Sequence, residues 1–180
     1  MRAVQDAALD LFEARGFDGV TVEEVATRAE VSPSTVYRHF GTKESLVLWD
    51  ETYERRDAAL HAHLDGATPF DGLRAAFVES IAGLSDSEVE LQHRRGRLVD
   101  DEPALAMALA GSLERDRREL QRIITSAYGR EGHDLEMELV ARIAMACMLA
   151  GFEGWQRAGR STSLTEHVDQ AFEAARGAVA

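Results

Sequence analysis

Apolar residues recur along this chain at three- and four-residue intervals, and no run of alternating β-branched residues interrupts them. That periodicity is the signature of amphipathic helices. The clearest stretch follows an apolar first helix and begins at Thr21, which can cap a short helix whose Glu24 completes a capping box. Val22, Val25, Ala26 and Ala29 form the inner face of that helix. Glu30-Val31 turns the chain, Ser32 caps again, and Pro33 takes the first helical position, where its missing N–H costs nothing. In this next helix Val36 and Phe40 point inward, leaving Ser34, Thr35, Tyr37, Arg38 and His39 outside. Gly41 ends it, Thr42 caps a third helix, and Lys43 stands at its start. The pattern predicts that this helix runs unbroken over 43–64, with Leu46, Trp49, Tyr53 and Leu60 near one face. Further helices are expected over 70–84, 87–99, 103–128, 134–157 and from 163 onward, the fourth and last of these starting at Asp134 and at a Ser163–Glu166 capping box. Ser87 with Glu90 is read as another box. The total is about nine helices in an all-α chain.

Two short helices joined by a tight turn, with a third following at once, have the layout of a helix-turn-helix DNA reader. The exposed side chains of the second helix suit that role. Ser32, Pro33, Ser34 and Thr35 are small enough for base edges to approach, and Arg38 can bond guanine O6 and N7 together. Tyr37 and His39 have the reach for phosphate oxygens, which set register without reading sequence, and the cap Thr21 is counted with them among the DNA-binding candidates. Lys43 is the only lysine in the chain and sits at a helix start, where N–H groups already favour a phosphate.

Residues 7–46, AALDLFEARGFDGVTVEEVATRAEVSPSTVYRHFGTKESL, resemble the DNA-binding domain of the tetracycline-repressor-like (TetR) family of bacterial regulators. An apolar helix, the Gly16-Phe17 turn, a Thr cap, a reader helix ending Tyr37-Arg38-His39-Phe40 and then Lys43-Glu44-Ser45-Leu46 carry the likeness. The resemblance implies a three-helix helix-turn-helix domain over 1–46 and a helical effector-binding and dimerisation domain over 47–180. It also implies a homodimer on a pseudo-palindromic operator, released by a small molecule. Members of the family carry a basic arm before the first helix, whereas this sequence begins Met1-Arg2-Ala3-Val4. Either an arm precedes Met1, or specificity rests on the reader helix and the dimer. Residues 90–109 and 135–157 faintly resemble a subgroup with acyl-coenzyme-A-like ligands that includes mycofactocin-system regulators.

The apolar residues of 139–152 go nearly all the way round the helix, so it should be covered on every side. A second subunit is the simplest cover. Ala144, Ala150, Gly151 and Gly154 would allow close helix approach, with Leu164, Val168 and Phe172 on the last helix as partners in the interface. The middle helices are expected to wall an effector chamber. Its candidates are Trp49, Tyr53, Phe77, Ile81, Leu91, Leu98, Met107, Met148 and Phe152, with Arg94 among the polar ones. Arg94, Arg95 and Arg97 could meet phosphates of such a ligand or pair with Glu88, Glu90, Asp100 and Asp101 on the surface. The unbroken helix over 43–64 would be the lever between the two domains.

Charge and composition temper this picture without replacing it. The chain carries a formal charge of −12, so nonspecific DNA affinity should be weak. A single cysteine, Cys147, allows no internal disulfide. The longest apolar run, 143–152, is too short to span a bilayer. No signal-like segment opens the sequence, and a cytoplasmic location is expected. Nucleophile elbows, Walker loops, paired cysteines and zinc-protease motifs are missing, so no catalysis, cofactor or metal is expected. His61 and His63 lie i, i+2 on a helix and point apart. Two functions stay open: a ligand-responsive regulator of operator DNA, or a helical sensor or docking protein whose helix-turn-helix no longer reads DNA.

Overall fold

The computed structural model describes residues 1–50, 53–132, 134–159 and 162–179. Among them every regular element is a helix. In chain order these are α1 (Arg2–Arg15), α2 (Val22–Arg28), α3 (Pro33–Phe40), α4 (Lys43–Leu48), α5 (Tyr53–His63), α6 (Pro69–Ala82), α7 (Asp86–Asp101), α8 (Pro103–Ala127), α9 (Leu135–Arg157) and α10 (Leu164–Val179). Among the described residues no helix is long and apolar enough to cross a membrane. The chain divides into two compact units, Met1–Asp50 with Asp86–Gly111, and Glu51–Ser85 with Ser112–Ala180.

Local chemistry sets most helix starts in the first unit. Thr21 accepts from the Glu24 N–H while the Glu24 carboxylate accepts from the Thr21 N–H, so the expected capping box is complete. Ser32 accepts from the Thr35 N–H, with Pro33 at the first helical position, and Thr42 accepts from the Ser45 N–H. The turn between α2 and α3 is a Schellman closure. The Val31 N–H donates to the Ala26 carbonyl at 2.9 Å and the Glu30 N–H to Thr27 at 3.2 Å. Glu30 carries the left-handed residue of that motif at φ 56°, a conformation that normally favours glycine.

Two sequence expectations are corrected here. The helix expected over 43–64 is two helices. α4 stops at Leu48, and Trp49 is extended (φ −61°, ψ 130°). The last carbonyls of a helix need partners, and here distant side chains supply them. Gln5, fully buried on α1, donates to the carbonyls of Trp49 (2.8 Å) and Val47 (3.4 Å), and Arg95 on α7 donates to that of Leu48 (2.7 Å). Among the described residues the total is accordingly ten helices. The second correction concerns α7, which starts at Asp86, so Ser87 lies inside it and is not its cap. This helix packs on α1 and α4. Helices of seven, eight and six residues (α2, α3, α4) bury little surface. Leu91 and Leu98, with Leu105 at the start of α8, complete their core around Leu9, Phe12, Val25 and Leu46.

The second unit has its own core, with Phe77, Leu120, Ile124, Met137, Trp155, Val168 and Phe172 almost wholly buried. Thr68 caps α6 and Pro69 opens it, one residue before the expected start. Asp134 caps α9 as expected, accepting from the Met137 N–H. α9 and α10 meet closely because Gly151 lacks a side chain: a Cβ there would stand 2.6 Å from the Val168 Cα.

Candidate nucleic-acid interface

α3 is amphipathic as expected: Val36 and Phe40 are buried, while Ser32, Pro33, Ser34, Tyr37, Arg38 and His39 are exposed and Thr35 is half-buried. The cap organises the small hydroxyls. Ser32 Oγ lies 2.8 Å from both Ser34 Oγ and Thr35 Oγ1, so these three form one polar cluster at the start of the helix. Tyr37, 47 % exposed, reaches back to donate to Glu23 Oε1 at 3.4 Å. The His39 ring packs edge-on to Phe40 (4.9 Å between centroids) and Trp49 (5.4 Å). Thr21 is exposed at the start of α2, its hydroxyl engaged by Glu24.

The charges sort themselves in a way that the net value hides. Four carboxylates of α1 and α2 are taken by arginines: Asp6 by Arg2, Glu24 by Arg15, and Asp10 and Glu13 by Arg94, with Arg97 also on Glu13. The Glu13 hydrogen bond, helped by Asp10, holds the Arg94 guanidinium above its ordinary pKa, and the backbone N–H of Thr21, aided by Arg15, holds the Glu24 carboxyl below its own. Of the basic residues on α1–α4, Arg2 and Arg15 are paired, whereas Arg28, Arg38 and Lys43, on α2, α3 and α4, have no carboxylate partner among the described residues. Arg28, exposed in the last turn of α2, was not among the residues singled out from sequence. Its lack of an ion pair is visible only in three dimensions. Lys43 places its ammonium over the Phe17 ring, 4.2 Å from the centroid, and 5.7 Å from that of Phe12.

The effector candidates are divided between the two units. Trp49 packs edge-on to Phe40 (5.5 Å between centroids), Leu91 and Leu98 belong to the core of the first unit, Arg94 is held by α1, and Met107 is 77 % exposed. The side chain of Tyr53 lies outside the described residues. The arginines of α7 do not make the expected surface pairs with Glu88, Glu90, Asp100 and Asp101: Arg94 and Arg97 face Glu13, and Arg95 is half-buried, bonded to Leu48 and Gln92, its charge disfavoured by burial. In the second unit Phe77 lines a cavity of about 40 Å³ with Leu60, Leu120, Ile123 and Met145, edged by Arg56, Asp57, Asp116 and Glu119. Ile81, Met148 and Phe152 are half-buried elsewhere in that unit. Of the interface candidates, Ala144, Gly151, Leu164, Val168 and Phe172 are buried within the single chain, Gly154 is half-buried against His167, and Ala150 is exposed. No group of three or more metal-ligating side chains forms among the described residues. Cys147 is buried, which raises its thiol pKa.

Residues 5–48 match the bacterial regulatory proteins of the tetR family, and residues 67–179 match the MftR C-terminal domain. The chain belongs to the TetR family. Its helix-turn-helix therefore sits in a family of DNA-binding transcriptional regulators, and its second part is of the MftR kind. It is 33% identical over 153 residues to the HTH-type transcriptional regulator TcmR of Streptomyces glaucescens, covering 79% of this chain and 65% of that one, a little under two thirds of the relative's length. It is 26% identical over 172 residues to the putative mycofactocin biosynthesis transcriptional regulator MftR of Mycobacterium tuberculosis, covering 94% and 86%. A TetR-like transcriptional regulator from Rhodococcus sp. RHA1 superposes with a TM-score of 0.53 at 26% identity, covering 99% of this chain and 94% of that structure.

Proposed function

We propose that this TetR-family regulator is a cytoplasmic homodimeric repressor that grips a pseudo-palindromic operator and leaves it when a small, largely apolar or acyl-chain effector binds the second unit. The observation that carries the reading is the outer face of α3, with the Ser32–Ser34–Thr35 hydroxyl cluster, Tyr37 and the unpaired Arg38, while Arg28 on α2 and Lys43 on α4 likewise have no carboxylate partner among the described residues. Arg38 supplies base readout. Tyr37, His39, Thr21, Arg28 and Lys43 supply phosphate contacts. In functional terms residues 1–46 form the reader and 47–180 serve effector binding and dimerisation.

The outer face of α9 supports a dimer. Leu135, Leu139 and Leu149 are 64%, 49% and 38% exposed, and Ala146 and Ala150 join them on that side. Arg142 and Glu153 share that side of the 23-residue helix, so the face mixes exposed leucines and alanines with one charge of each sign, and we read it as a subunit-contact surface. A two-fold pair would present two α3 helices to successive major grooves ~34 Å apart. The cavity beside Phe77, at about 40 Å³, has room for only a few waters. An effector must therefore widen it, and release follows as a population shift driven by tighter binding to the widened form.

The test is selection of genome fragments by the purified protein at two salt concentrations, followed by sequencing. A recovered pseudo-palindrome that loosens steeply with salt is the expected outcome. Failure to enrich any sequence at either salt would move the weight to a sensor or docking role.

A further inference from the structure

The single lysine of this chain, Lys43, has two ring faces for partners and nothing else: its ammonium lies 4.2 Å from the centroid of Phe17 and 5.7 Å from that of Phe12, with no hydrogen bond or ion pair to it among the described residues. The rings themselves are fixed. Phe12 is 1% and Phe17 3% exposed, and they pack against each other at 5.0 Å between centroids and 57° between planes. Phe12 stands near the end of α1, and Phe17 in the turn after it, behind Gly16 at φ 77°. Lys43 is half-buried at the start of α4. The three residues thus come from separate elements.

A lysine side chain on a surface carries large rotamer freedom, which it loses on gripping a phosphate. A ring face removes that freedom beforehand, at no cost in charge, because it attracts the ammonium without neutralising it. A carboxylate in the same place would cancel the positive charge that the phosphate needs. No hydrogen-bond acceptor takes the ammonium N–H groups among the described residues, so they remain available to a phosphate. We infer that Phe17, with Phe12 behind it, is a positioning residue for DNA binding: the rings hold the Lys43 ammonium ready to meet a backbone phosphate. The inference rests on the phosphate-contact role proposed for Lys43 above, and it adds to that role the residues that make the contact effective.

The reciprocal arrangement explains why the turn after α1 bears on DNA at all. Phe17 is not itself exposed and cannot touch a duplex. Its influence runs through the electron-rich ring face, so it depends on ring electrostatics and not on ring volume. That difference separates a positioning role from a packing role.

The test replaces Phe17 by phenylalanines bearing one, two or three ring fluorines, which drain the ring face while nearly keeping its shape, and measures binding to a short mixed-sequence DNA duplex at low salt. The same series is made in Lys43→Met, which keeps the apolar stem, and Phe17→Leu is added as the coded variant, with thermal melts to show that each protein is folded. Affinity should fall stepwise with fluorination, to about fivefold per bound subunit for the most fluorinated ring, and should not change with fluorination in the Lys43→Met background. Phe17→Leu should lower the slope of log affinity against log salt toward that of Lys43→Met, since a misplaced ammonium no longer displaces its counterion. A flat fluorination series in the presence of Lys43, with Lys43→Met itself weakening binding, would overturn the positioning role and leave the phosphate contact standing. If Lys43→Met leaves affinity and salt slope unchanged, the phosphate contact fails, and the positioning role with it.

Discussion

Gly151 and Gly154 lie three residues apart on α9, and replacing each by alanine should move stability in opposite directions. A Cβ on Gly151 would stand 2.6 Å from the Cα, 2.9 Å from the N and 2.8 Å from the Cγ2 of Val168. Two of those atoms are backbone of α10, so no rotamer change relieves the clash, and the helices must part by on the order of 1 Å in a densely packed seam. Overpacking of this kind costs about 1–3 kcal/mol, against which alanine gains about 1 kcal/mol over glycine in a helix interior. The expected net effect is a loss of about 1 kcal/mol, up to about 2. At Gly154 the same Cβ meets only the Cδ2 of His167 at 3.2 Å, a ring that can turn aside. There the helical preference wins, and Gly154→Ala should gain about 0.5–1 kcal/mol. Urea unfolding followed by far-UV circular dichroism reads both, and thermal melts should shift by about 2–4 °C per kcal/mol in a chain of this size. A Gly151→Ala protein as stable as Gly154→Ala would refute the claim that the α9–α10 spacing is set by the missing side chain.

Further outcomes follow from the same reasoning. Glu30→Gly should stabilise the protein by about 0.5–1 kcal/mol in urea titrations, because relief of the left-handed strain at φ 56° exceeds the entropy that glycine adds to the unfolded chain. Thr21→Ala should cost about 1 kcal/mol by removing one half of the capping box, measured in the same way. Arg38→Ala should relax base preference in sequence-randomised binding selections, at a cost of about 1–3 kcal/mol on the preferred site, whereas Tyr37→Ala should weaken all sequences alike. The Glu114 carboxyl, hydrogen-bonded by Arg117 and Arg118, should titrate at about 2 where its ordinary value is 4.5. Its folded value is the depressed one, so its contribution to stability is present above pH 4.5 and is lost as the pH falls toward 2. Carboxyl-detected NMR titration, with Arg117→Met returning the midpoint toward 4.5, is the check.

What the sequence determined by itself was whatever depends on neighbours three or four residues away. Thr21 with Glu24, Ser32 with Pro33, Thr42 and Asp134 mark their helix starts because a cap is satisfied by N–H groups within the same turn. The inward Val36 and Phe40, and the outward Tyr37, Arg38 and His39, follow from helical periodicity alone, and with them the candidate reading face. The all-α class and the family resemblance were legible for the same reason. Tertiary structure decided what depends on partners far along the chain. Nothing between Leu48 and Tyr53 reads as a helix breaker, and α4 ends where it does because Gln5 and Arg95, more than forty residues away in either direction, bond its last carbonyls. The apolar faces of Leu91 and Leu98 announced burial but not against what. In the tertiary structure they belong to the small core of the first unit, against which Trp49 also packs. The glycine at 151 promised close approach, and the helix that came close was α10 of the same chain. Periodicity shows that a face will be covered, because burial is a property of the residue. It cannot name the cover, because that depends on which distant surface fits it best.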